Sequence, residues 1–296
     1  MAIPPFDDPW YKTCMSTKRR SSGYAPRRSS PGARLWVPVA AVLVIALLVL
    51  LKVTAPPTVN ALDNKPVATD VVQNLTTVSP TTFALAATTA PASPAVAGSS
   101  TTWTSGGKPV VFYYGFEWCP YCAASRWAIV TALARFGTWS GLEYMTSSPT
   151  DVDPNTHTVT FLHATYTSPY ITFESVEAQN PLHATLQTPT GTQQTALSKY
   201  DPGSGGVFSG PFIDVSNRYL WEAALVLPTY LHGMGWTAIS AAVHSGKGPA
   251  GTHILAGANA LSAAICAVDG DQPAAVCTSA TVAKLMQGLP KPGSAA

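Results

Sequence analysis

The feature that most constrains the fold of this chain is a buried-strand pattern that leads through a short turn into a Cys-x-x-Cys motif. Val110–Tyr114 is an apolar, aromatic and β-branched run of the kind that forms a buried strand. The motif Cys119-Pro-Tyr-Cys122 follows, and helical periodicity continues from it to Phe136. The sequence therefore predicts a strand, a tight turn and a helix over Pro120–Phe136 whose N-terminus carries both cysteines.

This placement suits thiol chemistry. A cysteine at a helix N-terminus has free N–H groups and the helix dipole to stabilise its thiolate. We expect Cys119 to be the exposed nucleophile, while Cys122 shares a face with Ile129 and Leu133 and should be the buried, resolving thiol. A Cys-x-x-Cys motif between a strand and a helix is typical of the redox site of thioredoxin-like domains.

Two other roles for the cysteine pair are a structural bridge and half of a metal site. A structural zinc site needs a second Cys or His pair at close spacing. The six histidines are scattered along the chain. The sequence thus favours the redox pair and predicts no metal and no other cofactor.

A second candidate element lies at Gly210-Pro211. Proline suits the first residue of a strand, and Phe212–Val215 and Tyr219–Ala223 have the pattern of a hairpin around Asn217. Thioredoxin-like folds place a cis-proline at this point, beside the active cysteines, so the likeness of the motif to theirs implies a cis Gly210-Pro211 peptide. An extended client peptide could then pair with the backbone of Gly210. An ordinary proline at a strand start is the alternative. The predicted substrate contacts are Trp118, Pro120, Tyr121, Gly210 and Pro211.

The charge pattern points to a membrane anchor. The first 34 residues carry seven basic side chains against two acidic ones, and seventeen uncharged residues, Leu35–Leu51, follow. A spanning helix at 35–53 with the N-terminus in the cytoplasm fits this order. A cleaved signal peptide is the alternative, disfavoured by the long tail and by Pro56. Because the basic excess lies in the tail, we expect no nucleic-acid partner.

The remaining chain divides by composition. We predict a disordered basic tail at 1–34, the anchor at 35–53, a linker at 54–105 rich in Pro, Thr, Ala and Ser with a possible short helix, and an α/β domain at 106–296. Further strands are expected at Leu142–Met145, Thr158–Tyr166 and Tyr170–Val176, and helices at Thr190–Tyr200, Leu231–His244, Pro249–Ala267 and Ala274–Leu289. Cys266 and Cys277 suggest a structural disulfide, with a redox shuttle pair as the alternative.

Several blocks of sequence resemble a known family. They include Trp118–Cys122, Thr146–Val152, Tyr166–Tyr170, Ser198–Pro202 and Pro211–Asp214, together with Cys266 and Cys277. The chain is similar, from about Pro66 onward, to a membrane-anchored thioredoxin-superfamily group known as domain-of-unknown-function family 929. The resemblance implies a thioredoxin-like α/β fold with an inserted strand/helix segment and a helical C-terminal extension, preceded by one transmembrane helix. It leaves the activity open, because the family's function is unknown.

One departure from thioredoxin bears on the direction of electron flow. Tyr113 stands where thioredoxin carries a buried aspartate, and Glu117 is expected in the exposed turn. Without a buried carboxylate, we expect proton transfer from Cys122 to be slower or to use water. Slow proton transfer favours an oxidant, whose disulfide is attacked by client thiols, over a fast reductase. The resulting hypothesis is an extracytoplasmic, single-pass membrane thiol-disulfide oxidoreductase whose partners are client protein thiols or disulfides and an unidentified redox partner. The alternatives are a reductase or isomerase fed by a membrane electron carrier, and a non-catalytic binding protein.

Overall fold

The computed structural model describes residues 33–54, 60–96, 101–203 and 208–291. The predicted disorder of the basic tail, and Cys14 within it, lie outside the described residues. The chain divides into two compact units, Met1–Pro56 and Pro57–Ala296, which are taken here one at a time.

The first unit contains helix α1, Ala33–Thr54, with Pro38 inside it and exposed apolar side chains between Val39 and Leu50. Within the residues described, no helix combines the length and the apolar character that crossing a membrane requires. The prediction of an anchor at 35–53, and with it a single-pass membrane location, was therefore wrong. A span needs about 20 apolar residues. The uncharged run has seventeen, so the prediction relied on Lys52 to extend it.

The second unit is built on a mixed sheet centred on one strand. The strands of this sheet are β1 Ala95–Val96, β2 Thr104–Ser105, β3 Lys108–Gly115, β8 Thr172–Glu177, β9 Phe212–Val215 and β10 Tyr219–Trp221. Two separate antiparallel pairs are formed by β4 Thr138–Ser140 with β7 Thr165–Thr167, and by β5 Glu143–Thr146 with β6 His157–Thr160. β3 pairs in parallel with β8, from Val110↔Thr172 to Gly115↔Glu177, and antiparallel with β9. β10 pairs with β9 and β1, while β2 pairs with β3. β3 is buried from Val110 to Gly115, as its continuous apolar run predicted.

Helices cover this sheet. After α1, they are α2 Thr69–Thr76, α3 Pro80–Leu85, α4 Pro120–Leu133, α5 Thr192–Tyr200, α6 Trp236–Ser245, α7 Gly248–Cys266, α8 Ala274–Cys277 and α9 Ala280–Gly288, with a 3-10 turn at Pro228–Leu231. α4 packs on α7, and α7 packs on α6 and α9. α7 is rich in Ala and Gly, which lets neighbours approach closely. A Cβ on Gly257, for example, would lie 3.1 Å from the Leu225 carbonyl oxygen.

The mixed α/β architecture agrees with the predicted class, without the transmembrane helix that the prediction placed before it. Two predicted elements are divided. The strand expected over Thr158–Tyr166 is interrupted where the Phe161 N–H donates to Glu177 Oε1 at 3.2 Å, giving β6 and β7. The helix expected over Ala274–Leu289 is interrupted between Cys277 and Ala280, giving α8 and α9.

The segment predicted as a linker packs into the second unit. Val71 and Leu75 of α2 are each 1% exposed, and α2 contacts α6 and α4. Further along, β1 joins the edge of the sheet by pairing with β10. Trp103 is buried, and its backbone N–H donates to the Ser216 carbonyl. α2 is the short helix predicted within this segment, and its apolar residues are the ones that reach the core.

Truncating Leu75 tests whether residues 60–96 belong to the folded unit. Leu75→Ala should lower the free energy of unfolding by about 2–5 kcal/mol, because a buried side chain is lost. Leu85→Ala, on an α3 side chain that is 57% exposed, is the matched control and should cost about 0.5 kcal/mol or less. Equal, small effects in urea denaturation would contradict this packing.

Candidate active site

The end of β3 and the start of α4 position the two cysteines. α4 begins at Pro120, and Cys119 is its N-cap residue. The Cys122 N–H donates to Cys119 Sγ at 3.3 Å, so the first cysteine satisfies a backbone donor that the helix leaves free. Proline suits the first helical position because it has no N–H to satisfy there. Both cysteines are free thiols at the predicted helix N-terminus.

The burial of the two thiols agrees with the prediction for one of them. Cys122 is fully buried, as predicted, but Cys119 is also buried, at 5% exposure, so its predicted exposure was wrong. The covering segment comes from the chain before β9, where the Gly210 carbonyl accepts a hydrogen bond from the Cys119 thiol at 3.8 Å. This segment lies about ninety residues further along the chain, and helical periodicity carries no information about it.

The Gly210-Pro211 peptide is cis and lies against the motif, where it was predicted. A Cβ on Gly210 would lie 3.3 Å from Cys122 Sγ and 3.1 Å from the Phe116 ring. Contacts of 3.0–3.4 Å are tighter than most Cβ atoms make, so the absent side chain permits the close approach. The structure thus brings together Cys119, Cys122, Gly210 and Pro211.

The aromatic residues of the motif differ in exposure. The Trp118 ring stacks on Phe116 with centroids 4.9 Å apart, and its Nε1–H donates to Gln179 Oε1 at 2.8 Å. Tyr121 is 39% exposed, whereas Pro120 is buried. Of the predicted contact residues, Tyr121 is therefore the most exposed. The Trp118 ring is held in place by its contacts with Phe116 and Gln179.

The environment drives the pKa values of the two thiols apart. Hydrogen bonds from the Cys122 thiol and N–H lower the pKa of Cys119, against the opposing effect of burial, and the charge of Arg126 adds to the lowering. Burial raises the pKa of Cys122 well above its usual range, and the neighbouring Cys119 raises it further. Cys119 is thus the sulfur on which negative charge is stabilised.

A buried ion pair lies behind the motif. Arg126, one helical turn after Cys122, is 0% exposed, as is Glu177 at the end of β8. The Arg126 Nε–H donates to Glu177 Oε1 at 2.9 Å, and Nη2 donates to Oε2 at 2.5 Å and to the Phe116 carbonyl at 2.9 Å. This pair is not among the residues predicted from the sequence. The feature of the sequence that could have revealed this pair is the position of Arg126, four residues after Cys122 and so on the same predicted buried face of the helix.

Glu117 was predicted to be exposed, and this was wrong. Its side chain is 2% exposed, and Oε1 accepts from the Thr160 hydroxyl at 2.6 Å. Burial, with the nearby charge of Glu177, raises the pKa of Glu117 to about 7. β6, which supplies Thr160, encloses this carboxyl. The site therefore contains a buried carboxyl group two residues before Cys119.

Tyr113 also lies beside the resolving thiol. A Cβ on Gly115 would collide with the Tyr113 hydroxyl and lie 3.1 Å from Cys122 Sγ, so the hydroxyl and the sulfur flank the same glycine. The hydroxyl is buried and has no hydrogen-bond partner among the described residues. Burial raises the pKa of Tyr113 well above its usual range. It is therefore a neutral hydroxyl close to Cys122.

The later cysteines form a disulfide. Cys266 and Cys277 are bonded, with Cα atoms 5.5 Å apart, and they join the end of α7 to α8 as predicted. Asp269 lies close to both sulfurs. The three side chains do not suit a metal ion, because bonded sulfurs are not thiolates.

Comparison with known proteins identifies one family. Residues 95–196 match the model of the family described as Domain of unknown function (DUF929). This confirms the predicted resemblance over a shorter stretch than expected; membership of the thioredoxin superfamily stays a prediction. No curated protein and no solved structure matches the chain.

The buried carboxyl predicts a dependence of stability on pH. Because the pKa of Glu117 is raised from 4.5 to about 7 in the folded protein, the folded state holds one more proton than the unfolded state between these two pH values. The contribution of Glu117 to stability is therefore full below about pH 4.5. It falls as pH rises to the folded pKa and then levels off, a total loss of about 3 kcal/mol. Glu117→Gln cannot ionise, so its free energy of unfolding should fall less over this window.

Urea denaturation across this pH range checks the difference. Glu222→Gln, at an exposed carboxylate, is the control and should follow the wild-type profile. Parallel profiles for wild type and Glu117→Gln would contradict the raised pKa.

Proposed function

We propose that this protein is a thiol-disulfide oxidoreductase that donates a Cys119–Cys122 disulfide to protein thiols. The observation that carries the proposal is the asymmetry of the pair. Cys119 Sγ accepts the N–H of Cys122 at the start of α4, and the pKa of Cys119 is lowered while that of Cys122 is raised. Disulfide exchange requires one sulfur that attacks or leaves as a thiolate and a partner sulfur that carries a proton.

The reaction follows from these roles. In the oxidised protein, a client thiolate attacks Cys119 Sγ and breaks its bond to Cys122. The electron pair of that bond leaves on Cys122, which takes up a proton. A second client thiolate then attacks the client sulfur of the mixed disulfide and releases Cys119 as a thiolate. The client loses two electrons and gains a disulfide, while the protein ends as the thiol and thiolate pair.

The lowered pKa of Cys119 supports the oxidising direction. Stabilising the thiolate stabilises the reduced protein, and a dithiol whose reduced form is stabilised is a stronger oxidant as a disulfide. The charge of Arg126 acts in this sense on both sulfurs. Tyr113 and Glu117 are the buried groups from which the departing Cys122 could receive its proton, with the Tyr113 hydroxyl beside the same glycine as the sulfur.

Client peptides would approach past Gly210 and Tyr121. The Gly210 carbonyl already lies within 3.8 Å of Cys119 Sγ, and a backbone carbonyl next to a reactive sulfur can pair with an extended peptide. Tyr121 offers an exposed ring beside it. The lack of a side chain at Gly210 leaves the choice of client residue broad.

The burial of Cys119 favours a second candidate, a binding domain whose cysteine pair is redox-inert. At 5% exposure, little of the residue is open to a macromolecular client. This candidate predicts that both thiols of the reduced, folded protein react with an alkylating reagent only when denaturant is added.

Substitution of each cysteine tests the proposal. With oxidised glutathione as the terminal oxidant and a reduced, unfolded protein as client, Cys119→Ser should abolish disulfide formation, because the attacked sulfur is gone. In Cys122→Ser, oxidised glutathione forms a mixed disulfide with Cys119, and a client thiolate then displaces glutathione. With a client that carries a single thiol, this protein–client disulfide should accumulate, because neither Cys122 nor a second client thiol is present to break it. The mixed disulfide is measured by non-reducing electrophoresis.

Two controls make the test specific. Cys14→Ser removes a cysteine outside the motif and should leave the rate unchanged. The double variant Cys119→Ser/Cys122→Ser should neither oxidise nor trap client. If Cys119→Ser oxidised the client at the wild-type rate, the proposal of an oxidoreductase would be refuted, and the redox-inert binding domain would remain.

A further inference from the structure

A second site lies at the other end of the motif helix. A cavity of about 340 Å³ opens beside Arg135, just beyond the C-terminus of α4. α2, α3, α7 and the α8–α9 segment form its other walls. α4 has 14 residues and is about 20 Å long at 1.5 Å per residue, so this cavity is distinct from the cysteine site. Its volume is within the range of small-ligand pockets, about 300–1,000 Å³.

Arg135 is fixed in the wall of this cavity by neutral groups. Its Nη1 donates to Asn259 Oδ1 at 3.1 Å and to Ser262 Oγ at 3.0 Å. Its Cζ lies 4.1 Å from the centroid of the Phe83 ring. Asn259 is itself held, because its amide donates to the Phe83 carbonyl at 3.0 Å. The guanidinium is therefore oriented before any ligand binds.

The charge of Arg135 has no counter-ion in the part of the chain that the structure describes. No described carboxylate lies within 4.0 Å of it, and Nε and Nη2 make no hydrogen bond to a described residue. Arg126, by contrast, is neutralised by Glu177. Burial lowers the pKa of Arg135 to about 10, which leaves it a cation at neutral pH. Arg135 is half-buried, so its unpaired edge is only partly hydrated. A charge that is partly removed from water is stabilised by an opposite charge, so an anion is the ligand that this edge favours.

The carbonyl end of α4 compensates Arg135 only in part, since a helix terminus carries about half a charge. The remaining walls are mostly apolar, from Leu75, Val78, Phe83 and Val276. The hydroxyls of Thr76, Thr131 and Ser279 also line the cavity, but each already donates to a backbone carbonyl. Inorganic phosphate therefore fits less well, because its oxygens would lose water and gain few donors besides Arg135.

We propose that this cavity binds a small organic anion, with a single carboxylate paired to Arg135 and an apolar body against Leu75, Val78 and Phe83. A carboxylate accepts two parallel hydrogen bonds from a guanidinium, and the free Nε and Nη2 edge of Arg135 has the geometry for them. An unbranched aliphatic acid meets both requirements. This site goes beyond the proposed redox function and does not depend on it.

Calorimetric titration of the full chain with octanoate tests the proposal. Octanoate should bind saturably at one site, and octanol, with the same chain and no charge, should bind at least about tenfold more weakly. Arg135→Gln should weaken octanoate binding at least about tenfold, while Lys284→Gln, at an exposed cation on α9 that does not line the cavity, should bind as wild type. Cys119→Ser should also bind as wild type.

Two further variants keep the test decisive if Arg135→Gln does not fold. Arg135→Lys keeps the positive charge but loses the two parallel N–H groups of the guanidinium. It should bind octanoate more weakly than the wild type does, but more tightly than the wild type binds octanol. Ala275→Phe adds a ring to the α8 wall of the cavity and should abolish binding. No saturable octanoate binding, equal binding of octanol, or full affinity in Ala275→Phe would each overturn the proposal.

Discussion

The buried ion pair between Arg126 and Glu177 is the interaction on which the arrangement of the candidate site depends. It joins the motif helix α4 to the end of β8, and its third hydrogen bond reaches the Phe116 carbonyl in the turn before the motif. Both side chains are fully buried. Losing either partner would leave a charge in the interior, which costs about 3–5 kcal/mol. The pair thus fixes the helix N-terminus relative to the sheet.

The same pair places a positive charge behind the two sulfurs. Arg126 stabilises negative charge on Cys119 and Cys122 alike, so the difference between them comes from elsewhere. Cys119 accepts hydrogen bonds at the helix start, while Cys122 is enclosed by β3, Gly115 and the Gly210 backbone. A site of this kind needs one sulfur that carries charge and one that carries a proton, and the fold supplies both from a four-residue motif.

The parts of the structure that the sequence predicted are local. β3, α4 and β9 follow from short apolar runs, a proline and a helical period, and β9 was placed at Phe212–Val215. The free dithiol at the helix start and the Cys266–Cys277 disulfide also depend on residues near one another in the chain.

The parts that were missed depend on residues far apart. Cys119 is covered by the segment at Gly210, and Glu117 is enclosed by Thr160 of β6. The predicted membrane anchor failed for another reason, since the uncharged run was already at the lower limit of length.

The reduction potential of the Cys119–Cys122 pair tests the central claim, that the site stabilises the Cys119 thiolate and makes the disulfide an oxidant. Equilibration of the wild-type protein with glutathione buffers of known ratio gives this value. The account predicts a potential more oxidising than about −230 mV, the lower end of the glutaredoxin range. A value near that of thioredoxin, about −270 mV, would contradict it.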